Sequence, residues 1–116
     1  MRKKKKGRKF NRERDQRKAF LKTLASALIL REKIKTTEAR AKEVSSFIEK
    51  KITKAKAGNL TVKKFLLKFF SKAVADKLIT DIAPRYKERK GGYVRIIKLG
   101  RKQSDGAEMV YLELLK

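Results

Sequence analysis

The sequence predicts a small single-domain α+β protein that carries a basic N-terminal extension. Three observations support this: eleven cations against two acids within residues 1–18, apolar residues at helical spacing between residues 20 and 82, and alternating apolar residues near the C-terminus. The predicted order of elements is α-β-α-α-α-β-β, with a short mixed sheet packed by the helices. We expect the extension at residues 1–18, running into the first helix, and a compact α/β body at residues 19–116.

The charge of the chain predicts a polyanionic partner. Thirty-five Lys and Arg residues face 12 Asp and Glu residues, giving a net charge of +23 over 116 residues. Cations at this density repel one another unless a polyanion lies among them, so nucleic acid is the expected partner. The hydrophobic fraction of 41% is too high for a purely disordered tail and predicts a folded domain with a modest core.

The first helix is predicted from a single apolar stripe. Phe20, Leu24 and Leu28 are spaced by four residues, and the pattern runs to about Arg31. Asn11 is the expected N-cap. The opposite face carries the basic residues Arg14, Arg17, Lys18 and Lys22.

The next elements are predicted from capping residues and periodicity. A brief strand is expected around Ile34, and Thr37 is expected to cap a second helix that ends at Gly58 with Asn59. The apolar stripe of this second helix consists of Ala41, Val44, Ile48, Ile52 and Ala55. Thr61 is expected to open a third helix and Ser71 to cap a fourth, and Pro84 is expected to stop helical structure at Ala83.

After Pro84 the period changes to two residues. Residues 93–99 alternate, and Val110, Leu112 and Leu114 point to one face of residues 108–115, so an antiparallel hairpin is expected. The intervening loop, residues 100–107, has turn chemistry at Ser104, Asp105 and Gly106.

The composition argues against catalysis and against a membrane span. The chain has no histidine and no cysteine, and we find no Walker loop, dinucleotide fingerprint or nucleophile elbow. We therefore predict no enzyme, cofactor, metal or small-molecule substrate. The absence of cysteine makes the cytosol the simplest compartment, and no apolar segment is long enough to cross a bilayer.

Three basic segments have two interpretations each. Residues 1–18 are either a solubilising or localisation tail or, as we favour, a segment that orders on RNA. Residues 63–72 resemble a cationic membrane peptide, but a small domain needs their phenylalanines for its core. Residues 85–102 are rich in Arg and Lys, and within them Tyr86 and Tyr93 are either base-stacking platforms or core residues.

Three colinear motifs resemble one family. They are MRKKKKGRKFNRERDQR at the start, IKTTEARAKEVSSFIEKKIT at residues 34–53, and APRYKERKGGYVRIIKLGRKQSDGAEMVYLELL at residues 83–115. Together they closely resemble the family of the bacterial ribosomal protein numbered seventeen in the large-subunit series. The resemblance implies a cytoplasmic structural protein that binds large-subunit ribosomal RNA on the outer face of the subunit near the polypeptide exit region, among neighbouring ribosomal proteins.

The resemblance also implies which residues bind RNA. The positions that match the family motifs are Arg2, Gly7, Arg8, Asn11, Arg12, Arg17, Thr36, Thr37, Lys42, Arg85, Arg89, Gly91, Gly92, Tyr93 and Arg95. Charge and helical position add Lys3, Lys4, Lys5, Lys9, Arg14, Lys18 and Lys22. The chain departs from the family pattern at Lys3 and Gln16, where histidines are usual, and at Val94, where threonine is usual.

A second function remains open from sequence. A DNA-binding architectural or regulatory protein would place a helix in a groove of the duplex and use the final hairpin as a wing.

Overall fold

The computed structural model describes residues 2–101 and 106–116, with side chains from residue 13 onward within those ranges. Its elements are α1 (Arg2–Arg31), β1 (Lys33–Thr37), α2 (Glu38–Ala55), α3 (Leu60–Leu66), α4 (Lys72–Lys77), a π-helical turn (Leu78–Ile82), α5 (Ala83–Arg85), β2 (Val94–Arg101) and β3 (Glu108–Leu114). The predicted α+β class is confirmed, and so is the order in which helices and strands follow one another.

Helix α1 begins earlier than expected. It starts at Arg2, so Asn11 lies inside the helix and its prediction as the N-cap is wrong. Lys and Arg are good helix formers, and residues 2–18 contain no proline, so backbone propensity extends the helix ahead of its apolar stripe. Ala25, Leu28 and Ile29 are fully buried and attach the C-terminal half of α1 to the body.

Thr37 caps α2 as predicted. Its Oγ1 atom accepts a hydrogen bond from the backbone N–H of Arg40 at 3.4 Å. All five residues of the predicted α2 stripe are buried. The helix itself ends at Ala55, and Gly58 follows in the left-handed region with φ of 64°.

Helix α3 begins at Leu60, one residue before Thr61, which was expected to open it. Asn59 caps the helix, since its side-chain oxygen accepts from the backbone N–H of Val62 at 2.9 Å. Thr61 already lies within the first turn, so its hydroxyl is placed too late to cap. The prediction for Ser71 is confirmed, because its Oγ accepts from the backbone N–H of Val74 at 3.4 Å.

Pro84 does not stop the helix, so this prediction is wrong. The chain widens into the π-helical turn, in which the N–H of Ala83 bonds the carbonyl of Leu78, and helical structure continues to Arg85. The change of hydrogen-bond register places Pro84 in the first turn of α5. A proline is tolerated there, because its missing N–H does not need an intrahelical partner.

The sheet is antiparallel throughout, not mixed as predicted. Its strand order is β1-β3-β2, and both pairings with the central β3 are antiparallel. Only six residues join β2 to β3, which favours their antiparallel pairing, while β1 joins the far side of β3 from a distant part of the chain. A register shift between Lys98 and Gly100 marks a bulge in β2, which continues to Arg101 into the predicted loop. Of that loop's predicted turn residues, Ser104 and Asp105 lie outside the described residues.

One face of the sheet packs on the helices. Val110, Leu112 and Leu114 are all buried, as the alternation predicted, together with Ile34 of β1. The phenylalanines of residues 63–72 also pack in or against this core, with Phe70 buried and Phe69 at 6.0 Å from the Phe47 ring centre. This placement supports the core interpretation of that segment. In the part of the chain that the structure describes, no helix is both long and apolar enough to cross a membrane.

Candidate nucleic-acid interface

The basic face of α1 is exposed. Arg14, Arg17 and Lys18 all lie on solvent-accessible helix surface, and Lys22 is half-buried with its ammonium 5.6 Å from the Phe69 ring centre. Arg17 Nη2 also contacts Glu43 Oε1 of α2 at 2.7 Å. This contact ties the basic helix face to α2 and raises the pKa of Arg17 through the hydrogen bond from its guanidinium to Glu43.

The predicted RNA-binding residues before position 13 cannot be placed by their side chains. Arg2, Lys3, Lys4, Lys5, Gly7, Arg8, Lys9, Asn11 and Arg12 lie on the helical backbone of α1, and their side chains are outside the described residues.

The candidates at the start of α2 are divided between core and surface. Thr36 is 6% exposed and faces the core, and the Thr37 hydroxyl is used as the helix cap. Lys42 is exposed and lies 3.6 Å from Glu38 on the same helix. Of these three predicted residues, Lys42 offers the most accessible charge to a phosphate.

Arg85 serves an internal ion-pair network. Its Nη1 atom contacts Glu32 Oε1 at 2.6 Å, and its Nη2 atom contacts Asp81 at 3.3 Å. Lys77 Nζ reaches the other Glu32 oxygen at 3.2 Å and the Leu30 carbonyl at the same distance. With only 22% of its side chain exposed, Arg85 joins α5 to the end of α1, so this structure does not present it as a free phosphate ligand.

The base-stacking interpretation of Tyr93 is wrong, because its side chain is fully buried. Its ring packs 5.1 Å from the Tyr86 ring centre, and its hydroxyl lies 3.2 Å from Thr53 Oγ1. Tyr86 is also buried and donates from its hydroxyl to the Leu115 carbonyl. The core alternative therefore holds for both rings.

Tyr93 holds the basic loop, residues 87–92, against the body of the protein. The Tyr93 backbone N–H donates to Glu49 Oε1 at 3.0 Å, and its carbonyl accepts from the Leu115 N–H at 2.9 Å. Its hydroxyl donates to the Arg89 carbonyl at 3.3 Å, which Lys56 Nζ also contacts. These bonds fasten the loop to α2 and to the end of β3.

The loop itself is exposed. Lys87, Arg89 and Lys90 lie at the surface, followed by Gly91 and Gly92. Gly92 has φ of 66°, a conformation that a residue with a Cβ atom adopts at a cost. No atom lies within 4 Å of the place where a Cβ would stand on either glycine, so a phosphate has room to approach this backbone.

Arg89 and Arg95 meet in one shallow depression. It measures about 360 Å³ and is lined by Arg89, Arg95, Glu113, Leu114, Leu115 and Lys116. Arg95 Nε lies 3.7 Å from Glu113 Oε1, and 59% of the Arg95 side chain remains exposed. Three cations around one carboxylate suit an anionic ligand such as a phosphate.

Three residues on the outer face of the sheet were not predicted from the sequence as site residues. Lys33 and Lys35 of β1 and Tyr111 of β3 point away from the helices. The alternation of Lys33, Ile34 and Lys35 carried this information, but the register that joins it to Tyr111 required the three-dimensional structure.

The described residues show little chemistry beyond charge. Within residues 13–101 and 106–116, no three His, Cys, Asp or Glu side chains are grouped so that they could hold a metal ion. The fold and its surfaces therefore define a class: a small, strongly basic α+β protein that displays cations on a helix and on a fastened loop.

Comparison with known proteins identifies the family. The family model described as Ribosomal protein L17 matches residues 20–115. The chain is 50% identical over 109 residues to Large ribosomal subunit protein bL17 of Clostridium botulinum (strain Loch Maree / Type A3), covering 93% of this chain and 96% of the relative. It is 45% identical over 116 residues to Large ribosomal subunit protein bL17 of Halalkalibacterium halodurans, covering 92% and 97% of the two chains.

The chain belongs to the ribosomal protein L17 family. This confirms the resemblance found in its sequence motifs. Because the family consists of ribosomal structural proteins, it also confirms the prediction that the chain is not an enzyme.

Proposed function

We propose that this protein is a structural constituent of the large subunit of the cytoplasmic ribosome and that it binds ribosomal RNA. The observation that carries the proposal is the placement of exposed cations on rigid supports. One set lies along α1, which is packed on the core through Leu28, and another lies on the loop whose middle and C-terminal end are held by the hydrogen bonds of Tyr93.

The mechanism involves no reaction. Cations of the extension and of the α1 face displace counterions from closely packed RNA phosphates, which supplies affinity. The loop around Gly91 and Gly92 fixes orientation, because its backbone approaches phosphates closely and Arg89 grips them. The small core sets the distance between these surfaces, so the protein recognises the shape of an RNA site more than its sequence.

The predicted site residues take two kinds of role in this proposal. The exposed cations and glycines contact RNA directly. Four predicted residues support that surface from within: Thr36 and Tyr93 are buried, Thr37 caps α2, and Arg85 is ion-paired.

We also propose where the protein lies in the large subunit. Residues 1–18 form an extension set into RNA and residues 19–116 form the body, near the polypeptide exit region and beside other ribosomal proteins. Family resemblance supports this position, and the continuous helix from Arg2 to Arg31 gives the extension a direct mechanical link to the body.

The DNA-binding alternative is less well supported than the ribosomal proposal. The family model and the relatives that match most of this chain are ribosomal proteins.

Sucrose-gradient fractionation of a cell lysate tests the proposal. We expect the tagged full-length protein to cosediment with large subunits after a moderate salt wash. Recovery with the nucleoid, or at the top of the gradient in low salt, would contradict it.

A further inference from the structure

The three-stranded sheet has a second face that the helices do not pack against. In β3, Val110, Leu112 and Leu114 are buried in the core, so Tyr111 and its alternate neighbours point the other way. The register places Lys35 and Ile97 directly beside Tyr111 on the two edge strands. This row of three residues crosses the whole sheet.

A second row lies next to it. Lys33 and Arg95 flank Glu113, and Arg95 contacts that carboxylate at 3.7 Å. Lys33 Nζ lies 4.2 Å from the centre of the Tyr111 ring. The outer face therefore combines one aromatic ring and one branched apolar side chain with three cations and a single, paired carboxylate.

This combination favours a nucleic-acid ligand. A flat ring next to an apolar side chain binds the face of an unpaired base, and lysines around it bind the attached phosphates. Three strands about 4.8 Å apart give a platform about 10 Å wide, which fits a nucleotide. The excess of positive charge also complements RNA better than the mixed surface of a typical protein partner.

We propose that the outer face of the sheet is a separate binding site for an unpaired RNA nucleotide. The base stacks on Tyr111 against Ile97, and its phosphates contact Lys33 and Lys35. Lys33 rests over the ring in the free protein, where its flexible stem allows the ammonium to move to the phosphate when the base arrives. The proposal rests on the proposed function, since it requires that the protein binds RNA.

Arg95 makes this site continuous with the loop surface. It belongs to the outer face through its pairing with Glu113 and also lines the depression that contains Arg89. An RNA strand held at the basic loop can therefore extend along Arg95 onto the sheet.

The test compares Tyr111→Leu, Tyr111→Phe and wild-type full-length protein. Binding of a short, fluorescein-labelled single-stranded oligoadenylate is followed by anisotropy at several salt concentrations. Because one stacked base is lost, we expect Tyr111→Leu to bind about ten-fold more weakly. Tyr111→Phe keeps the ring and should bind like wild type. The salt slope should be the same for all three proteins, because no charge is removed.

Three outcomes distinguish the possible failures. If wild type binds the oligonucleotide with a steep salt slope and Tyr111→Leu binds equally well, the sheet site is wrong while the proposed function stands. If wild type does not bind RNA in low salt, both are wrong. If Tyr111→Leu binds RNA normally but leaves large subunits at lower salt, the face contacts a protein and the proposal is overturned.

A second variant keeps the test independent of folding. Tyr111 is half-buried, so its replacement could affect folding. Tyr111→Leu is therefore used only if it unfolds cooperatively near the wild-type temperature. If it does not, Ile97→Thr on the neighbouring strand replaces it, because threonine retains strand propensity while removing apolar surface. We then expect a smaller loss of oligoadenylate affinity, about three-fold, and unchanged affinity would overturn the proposal.

Discussion

Neutralising Glu32 should destabilise the protein at neutral pH and have no effect in strong acid. The hydrogen bond from Arg85 holds the pKa of Glu32 at about 2, against an ordinary value of 4.5, and Lys77 adds to the effect. This carboxylate joins the end of α1 to α4 and α5. We therefore expect Glu32→Gln, which removes the charge and keeps the shape, to weaken that junction.

The magnitude follows from the shift in pKa. A difference of 2.5 between 4.5 and 2 corresponds to about 3.4 kcal/mol at about 1.36 kcal/mol per unit. Because 34% of the Glu32 side chain is exposed, solvent screening reduces this value, and we expect a loss of about 1–2 kcal/mol in the free energy of unfolding. The substitution retains a Cβ atom at a position where φ is 66°, so backbone strain cancels in the comparison.

The direction of the pH dependence is fixed by the sign of the shift. The folded pKa lies below the unfolded one, so the stabilisation is present above about pH 4.5 and disappears as the pH falls toward 2. Urea unfolding followed by far-UV circular dichroism should show the difference between wild type and Glu32→Gln shrinking across this range. A difference that persists at about pH 2, or none at neutral pH, would refute the reasoning.

An exposed ion pair provides the matched control. Glu43 contacts Arg17 at 2.7 Å, but 42% and 70% of the two side chains are exposed. Glu43→Gln should therefore change the free energy of unfolding by less than about 0.5 kcal/mol. An equal loss in both variants would show that burial does not distinguish the two pairs.

Two further predictions concern local backbone structure. Gly92→Ala should cost about 1–2 kcal/mol in thermal unfolding because the φ angle of Gly92 is 66°. Gly91→Ala should cost less, because Gly91 has the same open space but no positive φ. Equal effects would contradict the explanation by backbone strain. Asn59→Ala should cost about 1 kcal/mol because the α3 cap is lost, whereas Thr61→Ala should be nearly neutral. Urea titration measures both, and a larger loss for Thr61→Ala would contradict the assignment of Asn59 as the cap.

Local periodicity explains what the sequence predicted well. The α2 stripe from Ala41 to Ala55 and the β3 alternation of Val110, Leu112 and Leu114 are short-range patterns, and the structure buries all of these residues. The caps Thr37 and Ser71 were predictable for the same reason, because an N-cap acts within one helical turn.

Long-range contacts explain what the sequence did not predict. Arg85 was expected to bind phosphate, but its partner Glu32 lies 53 residues earlier in the chain. The antiparallel sheet depends on β1 meeting β3, and the burial of Tyr93 depends on Glu49, Thr53 and Leu115. No local pattern contains these pairings, and the π-helical turn before Pro84 likewise departs from the ordinary helical period.

The salt dependence of RNA binding tests the central claim most directly. We compare wild type with Arg8→Ala, Arg12→Ala and Arg17→Ala combined, and with a control that combines Lys64→Ala, Lys68→Ala and Lys72→Ala, three exposed lysines outside the predicted site. Both variants lose the same charge. Filter binding to large-subunit ribosomal RNA is measured across salt concentrations.

If the extension and α1 hold RNA phosphates, the arginine variant should lower the magnitude of the salt slope by about two to three, while the lysine control keeps the wild-type slope. An arginine variant with the wild-type slope, or a lysine control that loses as much, would contradict the account.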